Sequence, residues 1–107
     1  MASSKGRNIK VISNSNKISN RRNVLVSEYI DNPHLINNFK YDLRIYVLVT
    51  SFNPLKIYIY DNGLARFATG QYRKKGRKDK FVHLTNFSVN RYSKNFVYNT
   101  KPDNPED

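Results

Sequence analysis

The chain has 107 residues, 19 Lys+Arg against 8 Asp+Glu, a formal net charge of +11 and no cysteine. This length limits it to one domain, since such a chain buries only about two-thirds of its surface on folding, and the missing cysteine excludes disulfides and cysteine-bound zinc. The charge favours a polyanionic partner (nucleic acid, anionic membrane, nucleotide or acidic protein tail) without choosing among them. No apolar run reaches the roughly 20 residues of a membrane span, and MASSKGRNIKVI has no apolar core of the signal-peptide kind. A soluble intracellular protein with no membrane partner is therefore expected.

In chain order, the first candidate feature is Ser3-Ser4-Lys5-Gly6-Arg7, which is small, flexible and basic. Such a loop before a strand can close over phosphates through backbone N–H groups and cations. It also reads as a plain polar terminus, and the Walker A spacing is absent. Short strands are expected at 9–12 (IKVI) and 23–30 (NVLVSEYI), the second rich in β-branched and aromatic residues. DNPHLINN follows with turn chemistry.

The clearest element is 40–52, KYDLRIYVLVTSF. It reads as one strand, buried on one face at its start and on both faces further along, hence central in its sheet. Alternation puts Tyr41, Leu43, Ile45, Val47 and Val49 on one side and Lys40, Asp42 and Arg44 on the other, about 7 Å apart at every second residue. The cations suit phosphates, and the carboxylate suits a ribose hydroxyl or a neighbouring cation. A solvated face of mutual salt bridges is the competing reading. Asn53-Pro54 turns the chain into LKIYIY as an antiparallel hairpin, and Asp61-Asn62-Gly63 reads as a second hairpin turn. LARFA then forms a short strand with Arg66 on the face opposite Ala65 and Phe67.

The segment 70–80, GQYRKKGRKDK, holds six basic residues in its last eight and little to bury, so a mobile loop is expected. It suits nucleic-acid phosphates or an acidic peptide. No RNA-recognition signature accompanies it, and the aromatic residues fall mostly at strand positions, where packing is their default role. His83-Leu84-Thr85-Asn86 offers a hydroxyl and an amide to a ligand, and on pattern alone is a strand end followed by a turn. His34 and His83 sit in no metal-ligand spacing. No Gly-x-Ser-x-Gly or cysteine nucleophile is present, and no segment has the pattern of a long helix.

Four blocks, SSKGRNIKVI, NVLVSEYIDNP, LINNFKYDLRIYVLVTSFNPLKIYIYDNGLARFAT and FVHLTNFSVN, occur in this order between residues 2 and 92. Together they resemble the central blocks of the tubulin tyrosine ligase-like family, most of all its polyglutamylases. The resemblance implies an α+β fold: an incomplete ATP-grasp domain over 1–92, a strand-rich central antiparallel sheet with loops. The basic loop 70–80 lies within it, and a polar tail follows at 93–107. It further implies ATP and Mg2+ as cofactors, with glutamate and the acidic C-terminal tails of tubulin as partners. Nucleic acid is then a disfavoured partner, and the expected location is cytoplasmic, on microtubules, the cilium or basal body included. In that family a glutamate γ-carboxylate is phosphorylated and then attacked by the amine of an incoming glutamate, forming an isopeptide bond.

By the same likeness, Lys5 and Gly6 fall in the phosphate-covering loop. Ser27, Glu28, Tyr29 and Ile30 fall in the hinge strand that meets adenine largely through its backbone. Lys40 and Asp42 match a nucleotide-contacting pair. Arg44 and Arg66 match catalytic arginines, the second of which also holds the glutamate substrate. Thr85 and Asn86 match ATP contacts, and Phe87 and Ser88 match the Tyr-Ser pair that touches the amino acid. The sequence departs from the family pattern at Lys5, where arginine is common, at Asn8, which replaces a second glycine, and at Phe87, which lacks the tyrosine hydroxyl. The family's lysine-proline before the first block and its late acidic metal ligands have no counterpart here. The Mg2+ ligands are therefore expected outside this chain, a fragment that by itself is expected not to ligate glutamate. A non-catalytic basic module that binds microtubules or nucleic acid is the alternative reading.

Overall fold

The computed structural model describes residues 9–18, 23–75 and 79–98. A single 3-10 turn (Ser15–Lys17) precedes five strands: β1 (Leu35–Ile36), β2 (Phe39–Arg44), β3 (Val47–Phe52), β4 (Leu55–Ile59) and β5 (Leu64–Gln71). Two single-turn helices follow, α1 (Lys80–His83) and α2 (Phe87–Asn90). Every strand pairing is antiparallel. The strands form a three-stranded sheet in the order β1-β2-β5 and a separate two-stranded ribbon, β3-β4. The fold is thus strand-rich α+β with antiparallel sheets.

The turn between β1 and β2 follows from its two asparagines. Asn37 and Asn38 have φ of 50° and 67°, and Ile36 pairs with Phe39 across them. A two-residue loop with both residues left-handed matches the right-handed twist of the flanking strands, and asparagine tolerates that region better than other residues with a Cβ. The expected hairpin at Asn53-Pro54 is present: the peptide bond is cis, and Phe52 pairs with Leu55 across it.

Three strand expectations are corrected. The run 40–52 is not one central strand: it breaks at Ile45-Tyr46, its first half pairing with β5 and its second with β4. Tyr60 N–H donates to the Tyr46 carbonyl at 3.0 Å, closing the ribbon at its base. The apolar residues of β3 are consequently ribbon surface, with Leu48 62% exposed. Second, Asp61-Asn62-Gly63 joins no hairpin, because β4 and β5 lie in different sheets. Gly63 instead lets the connection pass the end of β2, where an added Cβ would lie 2.6 Å from the Arg44 carbonyl oxygen. Third, 9–12 and 23–30 form no ladder with a described strand. β-branched content favours a pleated surface but does not supply a partner.

β5 is longer than the expected LARFA and irregular. Its register runs from Gln71 opposite Phe39 to Phe67 opposite Tyr41, so it bulges where β2 does not. The bulge turns Ala68, Thr69 and Gly70 toward the helices, and an added Cβ on Gly70 would lie 2.8 Å from Val82 Cγ2. The core is here: Ala68, Val82 and Val89, with the polar side chains of His83 and Asn90 buried beside them. The expected loop 70–80 is therefore shorter, since Gly70 and Gln71 finish β5 and Lys80 opens α1. Asp79 caps α1 by accepting from Phe81 N–H at 3.0 Å. The stretch from His83 to Asn86 is no strand end: His83 closes α1, and Leu84 to Asn86 link the two helical turns.

Candidate functional site

Arg66 and Asp42 stand directly opposite each other in the β2–β5 register, hence on one face of the sheet. Arg66 Nε donates to Asp42 Oδ1 at 2.7 Å, and Nη2 donates to Oδ2. This two-pronged hydrogen bond to Asp42 holds the guanidinium's pKa above its ordinary value. The side chains keep 24% and 40% exposure, so the pair contributes only about 1 kcal/mol or less to folding. Its effect is on geometry: it fixes which way the Arg66 fork points. On the other face, the Tyr41 and Phe67 rings stack with centroids 5.6 Å apart.

Lys40, two residues before Asp42, turns elsewhere. Its Nζ donates to the His83 carbonyl at 3.0 Å and to Tyr29 Oη at 3.3 Å, and lies 4.5 Å above the Tyr29 ring. Burial pushes its pKa down, and the Asp42 carboxylate partly opposes this. Arg44 is exposed at the end of β2. The three charges share a strand face as expected, but each serves a different neighbourhood.

A cavity of about 660 Å³ opens between the bulged part of β5 and the residues around α2. Its lining includes Arg66, Thr69, Thr85, Phe87, Asn90 and Phe96. It brings together three of the residues singled out in two separate sequence blocks: Arg66 from one, Thr85 and Phe87 from the other. Asn86 sits at the N-cap of α2, and Ser88 lies half-buried within that turn. Lys40, Asp42, Arg44 and 27–30 are not part of this lining. Of the hinge candidates, Ser27, Glu28 and Ile30 are exposed and Tyr29 is half-buried. Lys5 and Gly6 lie outside the described residues.

Asn90 was not anticipated. It is 1% exposed, and its Oδ1 accepts from both the N–H and the hydroxyl of Thr69, each at 2.9 Å. Its Nδ2 donates to the carbonyls of Leu84 at 2.7 Å and Asn86 at 3.1 Å. Four bonds use the whole capacity of the amide and tie the Thr85-Asn86 link to β5. Asn90 gave no sequence signal, because asparagine in this chain mostly marks turns. His83 did give one: a polar residue inside Phe-Val-His-Leu is the pattern of a buried, hydrogen-bonded side chain.

The profile of the Tubulin-tyrosine ligase family matches residues 1–107. The chain belongs to the tubulin-tyrosine ligase family. It is 54% identical over 99 residues to tubulin polyglutamylase TTLL5 of Homo sapiens, covering 91% of this chain and 8% of that protein. Over 104 residues it is 46% identical to tubulin monoglutamylase TTLL4 of Mus musculus, covering 95% and 8%. Over 101 residues it is 41% identical to tubulin polyglutamylase TTLL7 of Mus musculus, covering 92% and 11%. The chain thus spans about a tenth of the length of these relatives.

Membership in the tubulin-tyrosine ligase family makes Mg2+ a question for these residues. Mg2+ takes several oxygen ligands in near-octahedral geometry. Among the described residues no group of three or more His, Asp or Glu side chains converges, and the Asp42 carboxylate is already engaged by Arg66. The described residues do not fit a magnesium site. No helix among them is long and apolar enough to cross a membrane.

Proposed function

We propose that this chain is the nucleotide and amino-acid half of an ATP-grasp ligase that adds glutamate to the acidic tails of tubulin. The observation that carries the reading is the convergence of Arg66, Thr85 and Phe87 on one cavity, in a chain whose relatives are named tubulin polyglutamylases. In this reading Arg66, aimed by Asp42, receives the α-carboxylate of glutamate as a two-pronged partner. The Phe87 ring walls the site, with Ser88 beside it.

Lys40 and Arg44 face the phosphates of ATP, and Thr85 and Asn86 contact the nucleotide. Segment 27–30 meets the adenine edge through its backbone, as the family likeness implies, and forms no ladder with a described strand. Lys5 and Gly6, by family likeness, contribute to the phosphate site. ATP supplies the phosphoryl group that activates a carboxylate. The chain's own residues contribute placement and positive charge rather than a nucleophile. The basic residues around Arg73–Lys75 attract the acidic tail, and microtubules are the setting.

Photolabelling with 8-azido-ATP tests this. Saturable label in 27–30, displaced by ATP and reduced roughly tenfold in Lys40→Ala, is the expected result. No saturable label would overturn it. Given ATP, Mg2+, glutamate and tubulin, the chain alone is expected to add no glutamate, because the described residues offer no metal site.

A further inference from the structure

Segment 23–31 makes no ladder with a described strand, and side chains tie it to the rest of the fold. Two hydroxyls reach it or leave from it. Tyr72 Oη donates to the Asp31 carbonyl at 2.7 Å, while Tyr72 N–H is itself fixed to the Asn38 carbonyl at 2.8 Å. Tyr29 Oη lies 2.8 Å from His83 Nδ1. His83, 2% exposed at the end of α1, meets both tyrosine rings edge-on, each centroid 5.6 Å away.

Lys40 completes this cluster. An ammonium has only protons to give, so Tyr29 Oη accepts from Lys40, and the same hydroxyl shares a hydrogen bond with His83 Nδ1. The carbonyl of the same His83 accepts a second Lys40 proton. His83 therefore holds Lys40 twice, once through its backbone and once through its ring by way of Tyr29. A half-buried cation is costly without such partners, and here its partners come from α1 and from the segment preceding β1.

We infer that His83 and Tyr29 are positioning residues that brace Lys40 against segment 27–30, fixing the distance between the cation and the backbone that flank the nucleotide. This rests on the reading that those two elements meet ATP. The brace replaces the ladder hydrogen bonds that would otherwise register a hinge strand on its sheet.

Two readouts on the 107-residue chain test it. The first needs no nucleotide: the Lys40 ε-methylene proton signals, which the Tyr29 ring beneath the ammonium moves upfield. This shift is expected to collapse in His83→Leu, to shrink in Tyr29→Phe, which keeps the ring but loses the hydroxyl, and to persist in His83→Asn, whose side-chain amide can hydrogen-bond to Tyr29 where Nδ1 did. The second is ATP affinity, expected to fall roughly threefold to tenfold in Tyr29→Phe and His83→Leu, the effect of one lost hydrogen bond, and to return to within about twofold in His83→Asn. If His83→Leu does not fold, Tyr29→Phe and His83→Asn decide the matter. Parent protein that binds ATP, with Tyr29→Phe binding it equally well and the lysine signals unmoved, overturns the brace alone. Parent protein that binds no ATP overturns the nucleotide reading, and the lysine signals still judge the brace.

Discussion

Arg66 and Asp42 face each other across β2 and β5, and both carboxylate oxygens of Asp42 accept from the Arg66 fork. Two side chains with different expected ligands, a nucleotide and an amino acid, are thus each other's partners. The first prediction is that they are weakly coupled in stability and strongly coupled in geometry. A double-mutant cycle with Asp42→Asn and Arg66→Gln, followed by urea unfolding, should give about 1 kcal/mol or less. The coupling should shrink further in high salt. A coupling above about 2 kcal/mol would mean the pair is shielded from water, against its observed exposure.

Asn90 should be far less tolerant. Asn90→Leu removes all four side-chain hydrogen bonds and leaves the Thr69 N–H and hydroxyl and the Leu84 carbonyl without this partner, while the Asn86 carbonyl keeps its backbone donors. Each buried group left unsatisfied costs about 1–3 kcal/mol, so a loss of about 3 kcal/mol or more is expected in urea unfolding. Asn90→Asp is expected to be as damaging, because it sets a carboxylate oxygen against two carbonyls.

Gly70 and Val82 form a steric pair. Gly70→Ala brings a methyl to 2.8 Å from Val82 Cγ2, with an expected cost of about 1–3 kcal/mol by overpacking. Val82→Ala leaves a void and is destabilising alone. The double variant should be more stable than the sum of the two predicts, and calorimetric melting of all four proteins measures the difference. Strict additivity would show that β5 shifts away from α1 instead.

Lys40 gives a pH signature. Its folded pKa lies below the 10.5 of a free lysine, mainly through burial. Between the lowered value and 10.5 the unfolded chain holds more protons than the folded one, so stability rises with pH across that window. Relative to Lys40→Met, the parent protein should therefore gain stability as pH increases toward 10.5. A parallel or falling difference in urea midpoints would contradict the burial of this ammonium.

Much of the local structure was legible in the sequence. Alternation placed Lys40, Asp42 and Arg44 on one face and set Arg66 opposite Ala65 and Phe67, because side-chain direction along a strand depends on nothing beyond the strand. Asn53-Pro54 marked its hairpin for an equally local reason. The cavity that joins Arg66, Thr85 and Phe87 was anticipated as a set of residues through family resemblance, not as a shape. The roles of His83 and Asn90 stayed hidden because their partners lie in other elements: 54 residues away for Tyr29 and His83, 21 for Thr69 and Asn90.

By itself, then, the sequence determined the basic, cysteine-free composition, the alternation along each strand, its tight turns and membership of the tubulin-tyrosine ligase family. Only the tertiary structure decided that 40–52 divides at Ile45-Tyr46 between two sheets, that 23–30 forms no ladder with a described strand, and that Lys40 and Asp42 part company to serve His83 and Arg66. The physical reason is the same in each case. A residue's own chemistry fixes which way a strand side chain points and where a turn is cheap, whereas pairing and burial are settled by whichever distant segment arrives to supply the hydrogen bonds.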